Sequence, residues 1–287
     1  MALESFPPAV LVSSRFLISG GLLVAAALGR GAHLPRGREL VTASLCGMLI
    51  LGVGNGALAY AELLIPSGLA SLFITISPFW LVGVEALIAG GAPLHAPTVL
   101  GMIVGFAGAA LLLVPGFGSH GPGGAALAGF AITQIGCVSW SLGSIYQKRQ
   151  TVRAHPVVIG AVQQLAAGLA ALPLALLLPS HPIVWSFRGV AAVLYLVTFG
   201  SIVGYSAYAY ALDKLPVAIV SIYPYVNALV AVSLGWLFYS EPFGWREAVA
   251  MVVIFTGVAI VKWQSAKAGR STAASAATDV EPETAAL

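Results

Sequence analysis

Few side chains in the long apolar runs of this 287-residue sequence carry a charge or a hydrogen-bonding group. Arg15 and Glu85 lie within such runs, and Glu62 stands near the end of one. An ionisable group at the centre of a bilayer costs about 2.5–3.5 kcal/mol by insertion scales, so each is a functional candidate by default. Arg15 can contact an anion or serve as a gate partner; as a structural residue it can snorkel or hydrogen-bond free carbonyls. Glu62, shortly before Pro66, can titrate as a proton-coupling acid, attract a cationic group, or simply end a helix at the interface. Glu85, near the other end of its run, reads as a solvated acid.

The uncharged candidates are more numerous. Trp80, Trp140, Tyr205, Tyr208, Tyr223 and Tyr225 fall within apolar runs, away from the interfacial belt that Trp and Tyr usually form. There they can line a cavity for an apolar or aromatic solute body, with Asn55, Gln134, Gln163 and Asn227 supplying hydrogen bonds; each can equally be packing. Pro78 and Pro224 are expected as interior prolines that free a carbonyl and hinge or bend their helices. Substrate binding is therefore placed on Asn55, Glu62, Trp80, Trp140, Gln163, Tyr208, Tyr223 and Asn227. Gating or structural roles go to Arg15, Pro78 and Pro224. No catalytic constellation, phosphate-binding loop or metal-ligand spacing is present, so no enzyme, metal or cofactor is expected. The five histidines, His33, His95, His120, His155 and His181, all fall in loops.

The elements that must position these residues follow from composition. The chain is 59% hydrophobic and only 8% charged, with a mean hydropathy of +0.96. Soluble domains carry about 25% charged residues, so lipid is the solvent. Scattered basic residues argue against nucleic acid as a partner, and Cys46 and Cys137, both in apolar runs, argue against a disulfide framework. The first apolar run follows an n-region without positive charge and contains Arg15, so it reads as a retained helix rather than a signal peptide.

A spanning helix needs about 20 apolar residues. Nine segments qualify: 6–29, 40–62, 67–90, 96–115, 125–147, 156–178, 189–212, 216–239 and 246–264. Residues 266–287, rich in Ala, Ser, Thr and Glu, are expected to be a disordered tail. With the 30–39 loop in the cytoplasm, ten Lys and Arg residues in the loops or at span ends fall on the cytoplasmic side. Only Arg188 and Arg246 fall on the other. The positive-inside rule then puts the C-terminus in the cytoplasm.

A shift of 150 residues superposes Val53-Gly54 on Val203-Gly204, Ala59-Tyr60-Ala61 on Ala209-Tyr210-Ala211, and Pro66 on Pro216. A shift of 149 aligns Gly108 with Gly257, and one of 148 aligns Gly20 with Gly168 while setting Arg15 opposite neutral Gln163. That substitution favours the structural reading of Arg15. Matched helices run in opposite directions through the membrane, the inverted repeat of many secondary transporters. The halves span 1–117, with four helices, and 123–265, with five. A five-plus-five plan requires one more helix before Met1, so either the start is misplaced or this is a nine-span variant.

The runs Val53-Gly54-Asn55-Gly56, Ala61-Glu62, Pro66-Ser67-Gly68, Arg15-Phe16, Ser139-Trp140-Ser141 and Gly200-Ser201-Ile202, taken in order, resemble EamA-type transporters of the drug/metabolite superfamily over residues 4–265. That resemblance implies an all-α ten-helix membrane bundle built from two five-helix repeats. Here it is expected with nine visible helices, the first being absent. It also implies export of amino acids, metabolites or drugs across a bacterial inner membrane. The chain departs from the family where Ala228 replaces a frequent Pro, and where Ser240-Glu241 stands for the usual Gly-Glu. The implied partners are a small-molecule solute and the lipid bilayer, with proton coupling through Glu62 and a homodimer both left open. The alternative is a non-transporting membrane interaction protein or an inactive truncated paralogue.

Overall fold

The computed structural model describes residues 2–88, 94–113, 123–150, 154–177, 181–214, 223–239 and 244–278. Among these, all regular structure is helical. A helix satisfies its own backbone polar groups, which is the condition for crossing hydrocarbon. Six helical segments are long and apolar enough to do so: α1 (Pro8–Gly29), α2 (Arg38–Ala61), α3 (Ser67–Leu87), α5 (Gly123–Lys148), α6 (Pro156–Leu177) and α7 (Phe187–Ala211). Three more, α4 (Ala96–Leu113), α8 (Tyr223–Tyr239) and α9 (Trp245–Thr278), contain shorter apolar stretches of 10–17 residues. The expected count of nine spans is thus met by six among the described residues. The expected start of α8 at 216 lies outside them.

Local sequence explains the helix ends. Pro7 precedes α1, and Pro8 opens it, where a missing N–H costs nothing. Ser186 caps α7 by accepting from the Gly189 N–H at 3.0 Å. At the start of α9 the buried Glu247 carboxylate accepts the Gly244 N–H at 2.8 Å, half of a capping box. α9 then runs on to Thr278, into the segment for which composition suggests disorder. Its alanines favour helix intrinsically even without an apolar face. Residues 279–287 lie outside the description.

Packing follows the internal shift. α1 lies chiefly against α6, and α4 against α9, each helix meeting the one that the sequence shift assigns to it. The matched glycines make this contact possible. A Cβ on Gly20 would sit 2.7 Å from Leu165 N of α6, and one on Gly168 would sit 2.8 Å from Leu17 N of α1. Gly257 of α9 likewise leaves 2.5 Å to Gly101 O and Gly105 N of α4. A second shared feature was not legible in the sequence. α2 turns π-helical over Met48–Val53 and α7 over Leu196–Tyr205, overlapping segments under the 150-residue shift.

Where α2 crosses α6, a Cβ on Gly47 would fall 2.2–2.7 Å from the backbone of Gln163. Replacing Gly47 with Ala should therefore cost about 1–3 kcal/mol, read as a lower melting temperature of the purified protein. Gly21→Ala, which meets nothing within 4 Å, should raise stability by up to about 1 kcal/mol through helix propensity.

Candidate functional site

A cavity of about 850 Å³ gathers residues from α1, α2, α3, α5, α7 and α8. That volume lies within the roughly 300–1,000 Å³ of small-molecule sites. Both π-helical segments reach it, through Ile50 and Leu51 on one side and Gly200, Gly204 and Tyr205 on the other. Positions 150 residues apart face it in pairs: Asn55 and Tyr205, Leu58 and Tyr208, Ser77 and Asn227. The first-half member of two of these pairs is small and polar, and the second half brings both tyrosines. Gly54 and Gly204 also pair there with identical chemistry, and Ile50 pairs with Gly200, so the wall repeats in position while most of its paired side chains differ. Its rings form one cluster, with Tyr205 and Tyr208 centroids 5.8 Å apart and Trp140 6.2 Å from Tyr208.

The charged residues among the described lining are Arg15 and Glu62. Arg15 Nε donates to Ser201 Oγ at 2.6 Å, and its guanidinium lies 4.9 Å from the Phe16 ring centroid. Glu62 follows the last turn of α2, its backbone N–H bonded to Leu58 O at 3.0 Å.

Behind the cavity wall, two fully buried glutamines of α6 hold the π-helical part of α7. The Tyr205 hydroxyl donates to Gln163 Oε1 at 2.6 Å, and Gln163 Nε2 donates to Gln147 Oε1 of α5 at 2.8 Å. Gln164 Nε2 donates to Ser201 O at 3.4 Å, while Ser19 Oγ donates to Gln164 Oε1. A π-turn disrupts the regular backbone ladder, and these side-chain bonds supply anchorage from outside the helix.

Of the residues singled out from sequence, Arg15, Asn55, Glu62, Trp140, Tyr208 and Asn227 line the cavity together. Gln163 stands one layer back, on Tyr205. Trp80 is absent from the described lining; its Nε1 donates to Gln134 Oε1 at 2.7 Å and its ring packs edge-on against Phe106. Pro78 is buried at the second position of the helical stretch Ser77–Leu87, after a turn at Thr75 and Ile76 with i to i−3 bonds. α3 is thus interrupted just before Pro78, where a proline costs least, rather than bent around it. Pro224 is the second residue of α8; its side chain and that of Tyr223 lie outside the described residues, as do residues 215–222 before them. Glu85 is exposed. Sequence reading missed Gln164, Ser201 and Tyr205 as a group. The available signal was the adjacent Gln163-Gln164 pair within an apolar run, since two buried amides require partners.

The EamA-like transporter family model matches residues 1–114 and 127–263. The chain is 36% identical over 266 residues to the uncharacterized inner membrane transporter YedA of Escherichia coli (strain K12), covering 91% of this chain and 83% of that protein. It is 32% identical over 116 residues to a probable terminal-alkyne amino-acid exporter of Streptantibioticus cattleyicolor, covering 40% of this chain and 39% of the other. A solved crystal structure superposes with a TM-score of 0.66 at 23% identity, covering 91% of this chain and 89% of that one. At that identity the likeness concerns the fold.

Replacing Gln163 with Leu deprives the buried Tyr205 hydroxyl of this acceptor and should cost about 1–3 kcal/mol. Combining it with Tyr205→Phe should cost less than the sum of the two single changes, because both partners are then apolar. Thermal melts of the four proteins in detergent read the coupling directly.

Proposed function

We propose that this chain, which belongs to the EamA-like transporter family, exports a small organic solute by alternating access through the cavity between its two sequence repeats. The observation that carries the reading is the pairwise lining of one solute-sized cavity by positions 150 residues apart. Two halves that share a site can rock against each other while the site stays fixed between them. The named relatives support a transporter of the bacterial inner membrane, and one of them supports an amino-acid-like solute. The six long and three shorter apolar helices support a multi-pass bundle of nine spans. The excess of Lys and Arg in alternate loops supports an inverted orientation of the halves and a cytoplasmic C-terminus.

Within this reading, Asn55 and Asn227 supply hydrogen bonds, while Trp140 and Tyr208 flank the apolar body of the solute. Trp80 and Gln163 support that wall from outside the lining. Tyr223, placed near the head of α8, joins them as a residue of the same face. The break before Pro78, and Pro224 at the head of α8, give the rocking motion points at which helices change direction. Glu62 couples transport to protons.

The test is efflux from proteoliposomes of the purified chain, screened with labelled amino acids and lipophilic cations. Saturable efflux of at least one solute is expected; no movement by folded protein across a broad panel would overturn the reading. Trp140→Ala should raise the KM of a transported solute about tenfold, the order of one lost aromatic contact. Glu62→Gln should abolish the pH dependence of transport, and an unchanged pH profile removes Glu62 from the coupling role.

A further inference from the structure

The geometry points to an oxyanion-binding subsite in the cavity, made by the Arg15 guanidinium held by Ser201 over Gly200, for a carboxylate-bearing solute. This rests on the cavity being the solute site.

Arg15 is the eighth of the 22 residues of α1. It stands three to four residues from the helix middle, about 5 Å along the axis. Its Nε is directed across to α7 by the 2.6 Å bond to Ser201 Oγ, rather than towards carbonyls of its own helix. Among the described residues Arg15 forms no ion pair, and its polar contact is a neutral hydroxyl. A cation at this depth costs free energy until an anion meets it. The guanidinium is a rigid planar fork of five donors. With Nε occupied, the two terminal NH₂ groups remain to take a carboxylate in two parallel hydrogen bonds.

Gly200 makes room for that end. A Cβ there would lie 2.9 Å from Arg15 Nη2 and 3.5 Å from Cζ, and Gly200 and Arg15 both line the cavity. The first-half equivalent of Gly200 is Ile50, so this clearance is local to one side of the site. Ser201, fully buried, is a positioning residue: its hydroxyl fixes the guanidinium and its carbonyl is held by Gln164. The ring cluster of Trp140, Tyr205 and Tyr208 shares the cavity and suits an aromatic body attached to the carboxylate.

Binding of phenylalanine and 3-phenylpropionate, and of the amide of each, to the full-length chain in detergent tests the subsite. Uptake of the same four compounds into proteoliposomes runs in parallel. The carboxylates should bind at least tenfold more tightly than their amides. Arg15→Gln should weaken carboxylate binding about 10- to 100-fold and amide binding at least tenfold less than that. Arg15→Lys should recover part of the loss, because a point charge replaces the fork. Gly200→Ala retains the charge but displaces the guanidinium, and should weaken carboxylates severalfold more than amides. It also serves if Arg15→Gln fails to give monodisperse protein.

Equal affinity for carboxylate and amide, equal losses for both in Gly200→Ala, or no binding by any of the four compounds overturns the subsite. Transport without carboxylate preference overturns it while leaving the transporter reading intact. Arginine-dependent carboxylate binding without transport keeps the subsite and removes the transporter reading.

Discussion

Inside a bilayer the hydrophobic effect does not press helices together, because lipid tails are as apolar as leucine; close backbone approach has to do that work. In this protein the approach is made by glycines at matched places. Gly20 and Gly168 let α1 and α6 touch through their backbones, and Gly108 and Gly257 do the same for α4 and α9. α4 and α9 contribute no described residue to the cavity lining. Phe73, Phe79, Ile254 and Val258 belong to one buried cluster around them. Phe16, Ile50, Leu51 and Tyr205 form another beside the cavity. One cluster is a filled body, and the other borders an open cavity.

The polar residues are arranged with the same economy. Gln163 and Gln164 are adjacent on α6, so their side chains diverge by about 100° around the helix. One reaches Tyr205 and the other the Ser201 carbonyl, both on α7. A single dipeptide therefore fixes two points of the π-helical segment, and both points bear on cavity residues. Arg15 is drawn into the same layer through Ser201. Charge, hydroxyl, amide and ring are thus positioned by bonds running between α1, α6 and α7, none of which depends on loop structure.

Much of this was legible in the sequence. Apolar length gave the helix positions, and the shift of 148–150 residues paired α1 with α6 and α4 with α9. The wall residues Asn55, Trp140, Tyr208 and Asn227 stood out as polar or aromatic groups in apolar runs. Residue type could not say which way a side chain faces. Gln163 and Trp80 carry the same polar handles as Asn55 and Trp140, yet neither lines the cavity: Gln163 is bonded to the wall residue Tyr205 and Trp80 to Gln134. Arg15 looked structural because its repeat partner is Gln163, but the two halves differ in chemistry at equivalent wall positions. The π-turns left no sequence signature, since the residues that form them are ordinary apolar helix formers with scattered glycines. The interruption at Thr75 was masked by the continuous apolar run around it.

The two π-helical segments set the phase of the helices that contain them. A π-turn accommodates about one residue more than an α-turn, so everything beyond it is rotated by about 100° relative to an uninterrupted helix. In α2 this offset lies upstream of Asn55 and Leu58, and in α7 it lies upstream of Tyr208. The cavity-facing position of these residues is therefore a property of an inserted step in the chain as much as of the residues themselves. Loss of one residue within either segment, without any change to the side chains beyond it, would turn a different face of the helix towards the cavity and so install a different set of contacts. A change of one residue in length within either segment would thus re-line the cavity without touching the helices' packing glycines.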